Sequence, residues 1–200
     1  MAKHVDYYVS LNSPWAYLGS KRFEVMVKKY NAHVTVWPVD FGSVFAVSGG
    51  LPLPKRAPQR QAYRMMELKR WRDHLGVKLN LEPKFFPANE VPAAKCVIAL
   101  RELGRMPDAI KLAHAVLNAL WAEEKDTGDP ATLKSIIADC GLDADLIVKA
   151  SEAPNMAEKR ESDTKFAIDK GVFGAPSFLI DGELFWGQDR LDFVDRKLAS

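Results

Sequence analysis

Near its start the chain passes from a short apolar strand into a helix through Ser13-Pro14-Trp15-Ala16. Val5–Val9 reads as the strand. Serine before an apolar periodic run is a favoured N-cap, and proline fits the first helical position because its missing N–H has no intrahelical role there. The helix then runs from Trp15 to about Tyr30, and Val34–Val39 alternates as a second strand with Pro38 near its end. A matching landmark lies near the other end. Gly171 suits the residue just past a helix, Ser177–Ile180 is a short apolar strand, and Asp181-Gly182 is a two-residue hairpin signal that returns the chain as Glu183–Trp186. Pro176 opens the third strand, a position where proline is tolerated. About one X-Pro bond in twenty is cis in folded proteins, so the residues alone leave the Ala175–Pro176 bond undecided.

Between these ends the pattern is almost wholly helical. Asp40–Pro58 is rich in proline and glycine and is predicted as loop. Helices are predicted over Gln59–Leu75 (closed by Gly76), Val91–Leu103, Asp108–Lys125, Pro130–Cys140, Asp143–Ala150 and Asn155–Lys170, with Lys84–Asn89 as loop. The expectation is an α/β fold, β-α-β … β-β-α, interrupted by a large helical insertion. Residues 1–45 plus 171–200 would form the frame and 46–170 the inserted domain.

Composition narrows the class. At 200 residues, with 48% hydrophobic and 27% charged residues, the chain can bury a sizeable core. A formal net charge of +2 supplies no global attraction to nucleic acid or membrane. No apolar run reaches the length of a membrane span, and the N-terminus has no apolar leader core. The two cysteines, Cys96 and Cys140, lie far apart in helical patterns and read as buried thiols. A cytoplasmic protein is expected.

Candidate chemistry is sparse. From its own residues, Ser13 is by default a helix cap. Ser10 sits at a strand end and Ser20 inside the helix. His4, His33, His74 and His114 lack metal-binding spacing. Asp40 follows the second strand and could line a cleft. The basic stretch Lys55, Arg56, Arg60, Arg64, Lys69, Arg70 and Arg72 carries one acidic interruption, Glu67. Lys69–Arg72 reads as a solvated face, whereas Lys55–Arg64 could draw anions to a site. No zinc-finger or RNA-recognition pattern supports nucleic acid.

Taken together, Ser13-Pro14-Trp15-Ala16-Tyr17-Leu18-Gly19, Tyr63 through Leu75, Phe173-Gly174-Ala175-Pro176 and Phe185-Trp186-Gly187-Gln188-Asp189-Arg190 resemble the kappa-class glutathione transferases and the 2-hydroxychromene-2-carboxylate isomerases. These share the thioredoxin-like, disulfide-oxidase-like fold. In thioredoxin-like oxidoreductases the first junction carries Cys-Pro-x-Cys. This chain keeps the proline and has neither sulfur, so it cannot perform dithiol exchange there, but it can hold another molecule's thiolate.

The resemblance implies glutathione as cofactor and an aromatic small molecule as substrate, in a homodimer. It implies that Ser13, at the Pro14 helix start, donates to the glutathione sulfur and that Ala175 offers its backbone beside a cis Pro176. Asp189 would meet the γ-glutamyl ammonium, and Arg190 or nearby amides its carboxylate. Arg60 stands where the family has a lysine for the glycyl carboxylate, and glycine near Gly50 replaces an asparagine. Populating a thiolate at neutral pH requires lowering its pKa by about two units, roughly 2.7 kcal/mol. A helix N-terminus and one hydroxyl donor act in that direction. The implied activity is isomerisation of a 2-hydroxychromene-2-carboxylate by reversible thiolate addition. A kappa-like transferase or peroxidase, or a non-catalytic thioredoxin-fold binder of thiol peptides, are the alternatives.

Overall fold

The computed structural model describes residues 2–200. Strands β1 (His4–Tyr8), β2 (His33–Trp37), β3 (Ser177–Ile180) and β4 (Glu183–Trp186) form one sheet in the order β2-β1-β3-β4. β1 pairs in parallel with β2, while β3 runs antiparallel to both β1 and β4. Helix α1 (Pro14–Tyr30) makes the crossover between β1 and β2, as a parallel pair requires. It starts where Ser13 caps it and ends at Asn31, whose φ of 49° is left-handed. Asp181 and Gly182 both take positive φ in the β3–β4 hairpin.

The helical layer contains α2 (Phe41–Ser48), α3 (Pro58–Leu75), α4 (Val91–Glu102), α5 (Met106–Trp121), α6 (Pro130–Asp139), α7 (Ala144–Ser151) and α8 (Met156–Asp169); α9 (Leu191–Ala199) closes the chain. Two predictions are corrected. Residues 40–58 are not all loop, because the Asp40 carboxylate accepts the Gly42 N–H and starts α2, which buries Phe41 and Val44; the closely spaced prolines follow only after Gly50. The helix predicted to reach Lys125 stops at Trp121, and the chain has left the helical path by Glu124, at φ 54°.

Both faces of the sheet are covered, and β3 is buried at every position. One cluster joins Val5, Tyr7, Phe178 and Ile180 of the sheet to Phe23 of α1, Leu100 of α4 and Leu112 and Trp121 of α5. Tyr7 stacks on Phe178, its register partner across β1 and β3, with centroids 5.2 Å apart. On the other face Tyr8 and Leu179 pack with Phe41, Val44 and Ala167 from α2 and α8. This alternation follows from the two-residue period of a strand. Among the described residues no helix is long and apolar enough to cross a membrane.

Candidate active site

The site is built where α1 begins. Ser13 has extended backbone angles, φ −79° and ψ 119°, and its Oγ accepts the Ala16 N–H at 3.2 Å. The Ser13 carbonyl accepts the Tyr17 N–H, and Pro14 has no N–H to offer. The Trp15 amide is therefore the donor of this turn without an acceptor among the described residues. Half-buried Ser13 thus combines a hydroxyl, a free amide and the positive end of a 17-residue helix.

Facing it is the loop before β3. The Ala175–Pro176 peptide is cis, and Ser13 Oγ–H donates to the Ala175 carbonyl at 3.4 Å, a long bond that a stronger acceptor could displace. The Ala175 N–H has no acceptor among the described residues, so this peptide edge is open to an extended partner. The following carbonyl, Pro176 O, accepts the Gly187 N–H at 2.8 Å and ties the loop to the turn after β4. Gly187 lies at φ 94°, and a Cβ there would come within 2.3 Å of an Asp189 carboxylate oxygen. Only glycine permits that turn. Asp189 and Arg190 are exposed and ion-pair with each other; Asp189 does not cap α9, which has no side-chain cap. Ser13 and Ala175 therefore meet directly, flanked by Pro14 and Pro176, with Asp189 and Arg190 on the turn that Gly187 ties to Pro176. Arg60 makes no hydrogen bond or ion pair with them among the described residues; it is exposed on the first turn of α3, a helix that packs against α1. At Gly50 a Cβ would fall 2.3 Å from the Phe45 ring, so an asparagine does not fit this conformation.

Beneath Ser13 lies a polar network that no local motif announced. The Glu90 carboxylate, just ahead of α4, accepts from Ser10 Oγ at 2.8 Å and from the Asn12 amide at 3.2 Å. Its other oxygen accepts from Arg160 of α8 at 3.1 Å. The Asn12 side chain brackets Ala88, donating to its carbonyl at 2.9 Å and accepting its N–H at 3.0 Å. Burial pushes the Glu90 carboxyl up, opposed by the Ser10 hydroxyl and the Arg160 charge. Asn12, Glu90 and Arg160 thus fasten the loop carrying Ser13 to the helical layer. Partners some 70 to 80 positions apart leave no signal in a linear pattern. Cys96 and Cys140 are free, buried thiols, both pushed up by burial.

The chain is 28% identical to a 2-hydroxychromene-2-carboxylate isomerase of Sphingobium xenophagum, covering 99% of each chain. It is 25% identical to glutathione S-transferase kappa 2 of Caenorhabditis elegans, over 98% of this chain and 92% of that one. Its fold is similar to the solved 2-hydroxychromene-2-carboxylate isomerase, with a TM-score of 0.81, 24% identity and coverage of 98% and 94%. The DSBA-like thioredoxin domain matches residues 4–199, from β1 through the last residue of α9. Sheet order, cis-proline loop and helical layer all fall within that match, and the chain belongs to the DSBA-like thioredoxin domain family.

Proposed function

We propose that the protein is a glutathione-dependent isomerase of the 2-hydroxychromene-2-carboxylate type, working in a reducing cytoplasm as a homodimer. One observation carries the reading: at the helix start the chain offers a hydroxyl and a free amide, opposite an open peptide edge at Ala175. These groups can hold a thiolate but cannot exchange a disulfide. When bound, glutathione supplies a soft nucleophile able to add to, and depart from, an electron-poor unsaturated carbon.

The chain's own residues do the rest. Ser13 turns its O–H from the Ala175 carbonyl toward sulfur and acts as a donor, which favours the anion. The Trp15 N–H and the α1 N-terminus add positive potential at the same point. The Ala175 N–H and C=O receive the cysteinyl unit in strand-like pairing. Asp189 and Arg190, each freed from the other, meet the ammonium and carboxylate of the γ-glutamyl end. Arg60 serves the glycyl carboxylate, a pairing in which a guanidinium can replace an ammonium. The Glu90 network holds the Ser13 loop in place so that its donors do not reorganise during turnover. The names of the relatives, an isomerase and a kappa transferase, support this reading.

The test is Ser13→Ala. With saturating glutathione, isomerisation of 2-hydroxychromene-2-carboxylate should fall roughly tenfold to thousandfold, the range for deleting one donor to a developing anion, while the fold persists by circular dichroism. Unchanged turnover removes Ser13 from the mechanism. Glutathione consumed instead of recovered would make the protein a transferase.

A further inference from the structure

Arg60 and Arg64 are four residues apart and share one face of α3, and Arg56 stands on the extended chain just before that helix. No acid interrupts the row. Burial pushes Arg56 and Arg64 down, and the neighbouring charge of Arg60 on Arg56 and of Arg56 on Arg64 adds to it. Arg64 is the deepest, only 9% exposed, and burial pushes it down to about 10. Its guanidinium faces the Phe86 and Trp121 rings, at 5.5 and 5.9 Å, and its one hydrogen bond goes to the Met65 sulfur at 3.6 Å. No carboxylate pairs with it among the described residues. The indole N–H of Trp121 is fully buried without an acceptor, whereas the Arg64 nitrogens that make no hydrogen bond keep contact with solvent. An anion can therefore reach the guanidinium from outside and meet a charge that no acid of the chain has neutralised. Arg64 is linked to the site through the Phe86 segment. Phe86, against which it rests, is two residues from Ala88, which the Asn12 side chain grips beside Ser13.

We infer that Arg64, backed by Arg56, is the specificity-determining residue for the carboxylate of the aromatic substrate, so that the protein selects carboxylate-bearing arenes over neutral ones. This rests on the proposed function, since it assigns a second, non-glutathione substrate to the cleft beside Ser13. A guanidinium can grip a carboxylate with two parallel bonds, and the neighbouring rings suit an arene attached to it.

The experiment is calorimetric titration of the full chain with 2-naphthoate, with its neutral counterpart 2-naphthamide, and separately with glutathione. Wild type should bind the naphthoate roughly tenfold to a hundredfold more tightly than the amide, the worth of one charge-assisted pair. Arg64→Met should erase that preference and leave glutathione affinity within about twofold, whereas Arg64→Lys should keep part of the preference, because it keeps the charge but not the fork. Equal binding of acid and amide by wild type overturns the inference, as does a preference that survives Arg64→Met. Loss of glutathione binding in Arg64→Met with the naphthoate preference intact also overturns it and hands the row to the glycyl carboxylate. If Arg64→Met does not fold, the wild-type comparison with Arg64→Lys and Arg56→Gln decides. Naphthoate preference without any glutathione binding would sink the proposed function while sustaining this inference; the reverse result would do the opposite.

Discussion

Arg101 and Arg64 are buried to almost the same degree, 8% and 9% exposed, yet they sit in opposite surroundings. Arg101 of α4 pairs with Asp163 of α8 at 2.8 Å, reaches Glu102 at 3.2 Å and the Val36 carbonyl at 3.4 Å, and lies 4.4 Å over the Trp37 ring. Each of its three nitrogens donates to an acceptor within the chain, and its contacts bind α4 and α8 to the sheet. Arg64 of α3 has two rings and a thioether. A buried charge with a closed set of partners is a structural fastening. A buried charge left open is a seat for something else. His114 shows the third course: its side chain is 11% exposed, and neither ring nitrogen has a hydrogen-bond partner. It remains neutral, which an arginine cannot do.

The contrast can be broken by experiment. Arg101→Met should be the most damaging substitution, costing about 3–5 kcal/mol in urea unfolding, because it strands the Asp163 carboxylate away from water. Burial already pushes that carboxyl up even with Arg101 beside it. Replacing both partners, Arg101→Met with Asp163→Leu, should restore most of the loss. If the single variant costs under about 1 kcal/mol, burial and not pairing explains Arg101, and the distinction from Arg64 collapses.

His114 sharpens the comparison through pH. Burial pushes it down to about 4, against an opposing pull from Glu24, whose oxygen is 3.8 Å from Nδ1. The folded pKa is therefore depressed below the unfolded value of about 6.5. For a base this means that the unfolded chain takes up its proton first. Stability is complete above about pH 6.5 and declines as the pH falls toward 4, by about 3 kcal/mol from this residue. Unfolding measured across that window should show the decline in wild type, and the gap between wild type and His114→Leu should change by that amount. A gap independent of pH would mean that folding leaves the His114 proton affinity unchanged, and a wild-type advantage that grows as the pH falls would mean that His114 is charged in the fold and paired with Glu24.

The smallest effect is expected at the open arginine. Arg64→Met should leave stability within about 1 kcal/mol of wild type, because the cation–π contacts it loses are offset by relief from an unpaired buried charge. A loss above about 3 kcal/mol would place Arg64 with Arg101 as a fastening and remove the reason to assign it a ligand.

Much of the fold was legible because its punctuation is local. Ser13-Pro14, Gly76, Gly171 and Asp181-Gly182 act through dihedral preferences and hydrogen bonds spanning only a few residues, and each lies at the boundary its chemistry predicts. Helix α2 was obscured because glycine and proline around it outweighed a single Asp40 cap. The end of α5 was overrun because apolar periodicity does not mark where the chain turns away.

The sequence by itself determined the order of the strands and of the helices other than α2, the helix start at Ser13 and the absence of sulfur there, since these depend on neighbours along the chain. The tertiary structure alone decided that the Ala175 carbonyl, 162 positions away, faces the Ser13 hydroxyl. It also decided that Glu90 braces the Ser13 loop and that Arg101 finds an acid while Arg64 does not. Whether a buried charge is closed or open depends on which side chains packing brings within about 4 Å, and arginines of equal burial are indistinguishable until the helices that carry them are packed.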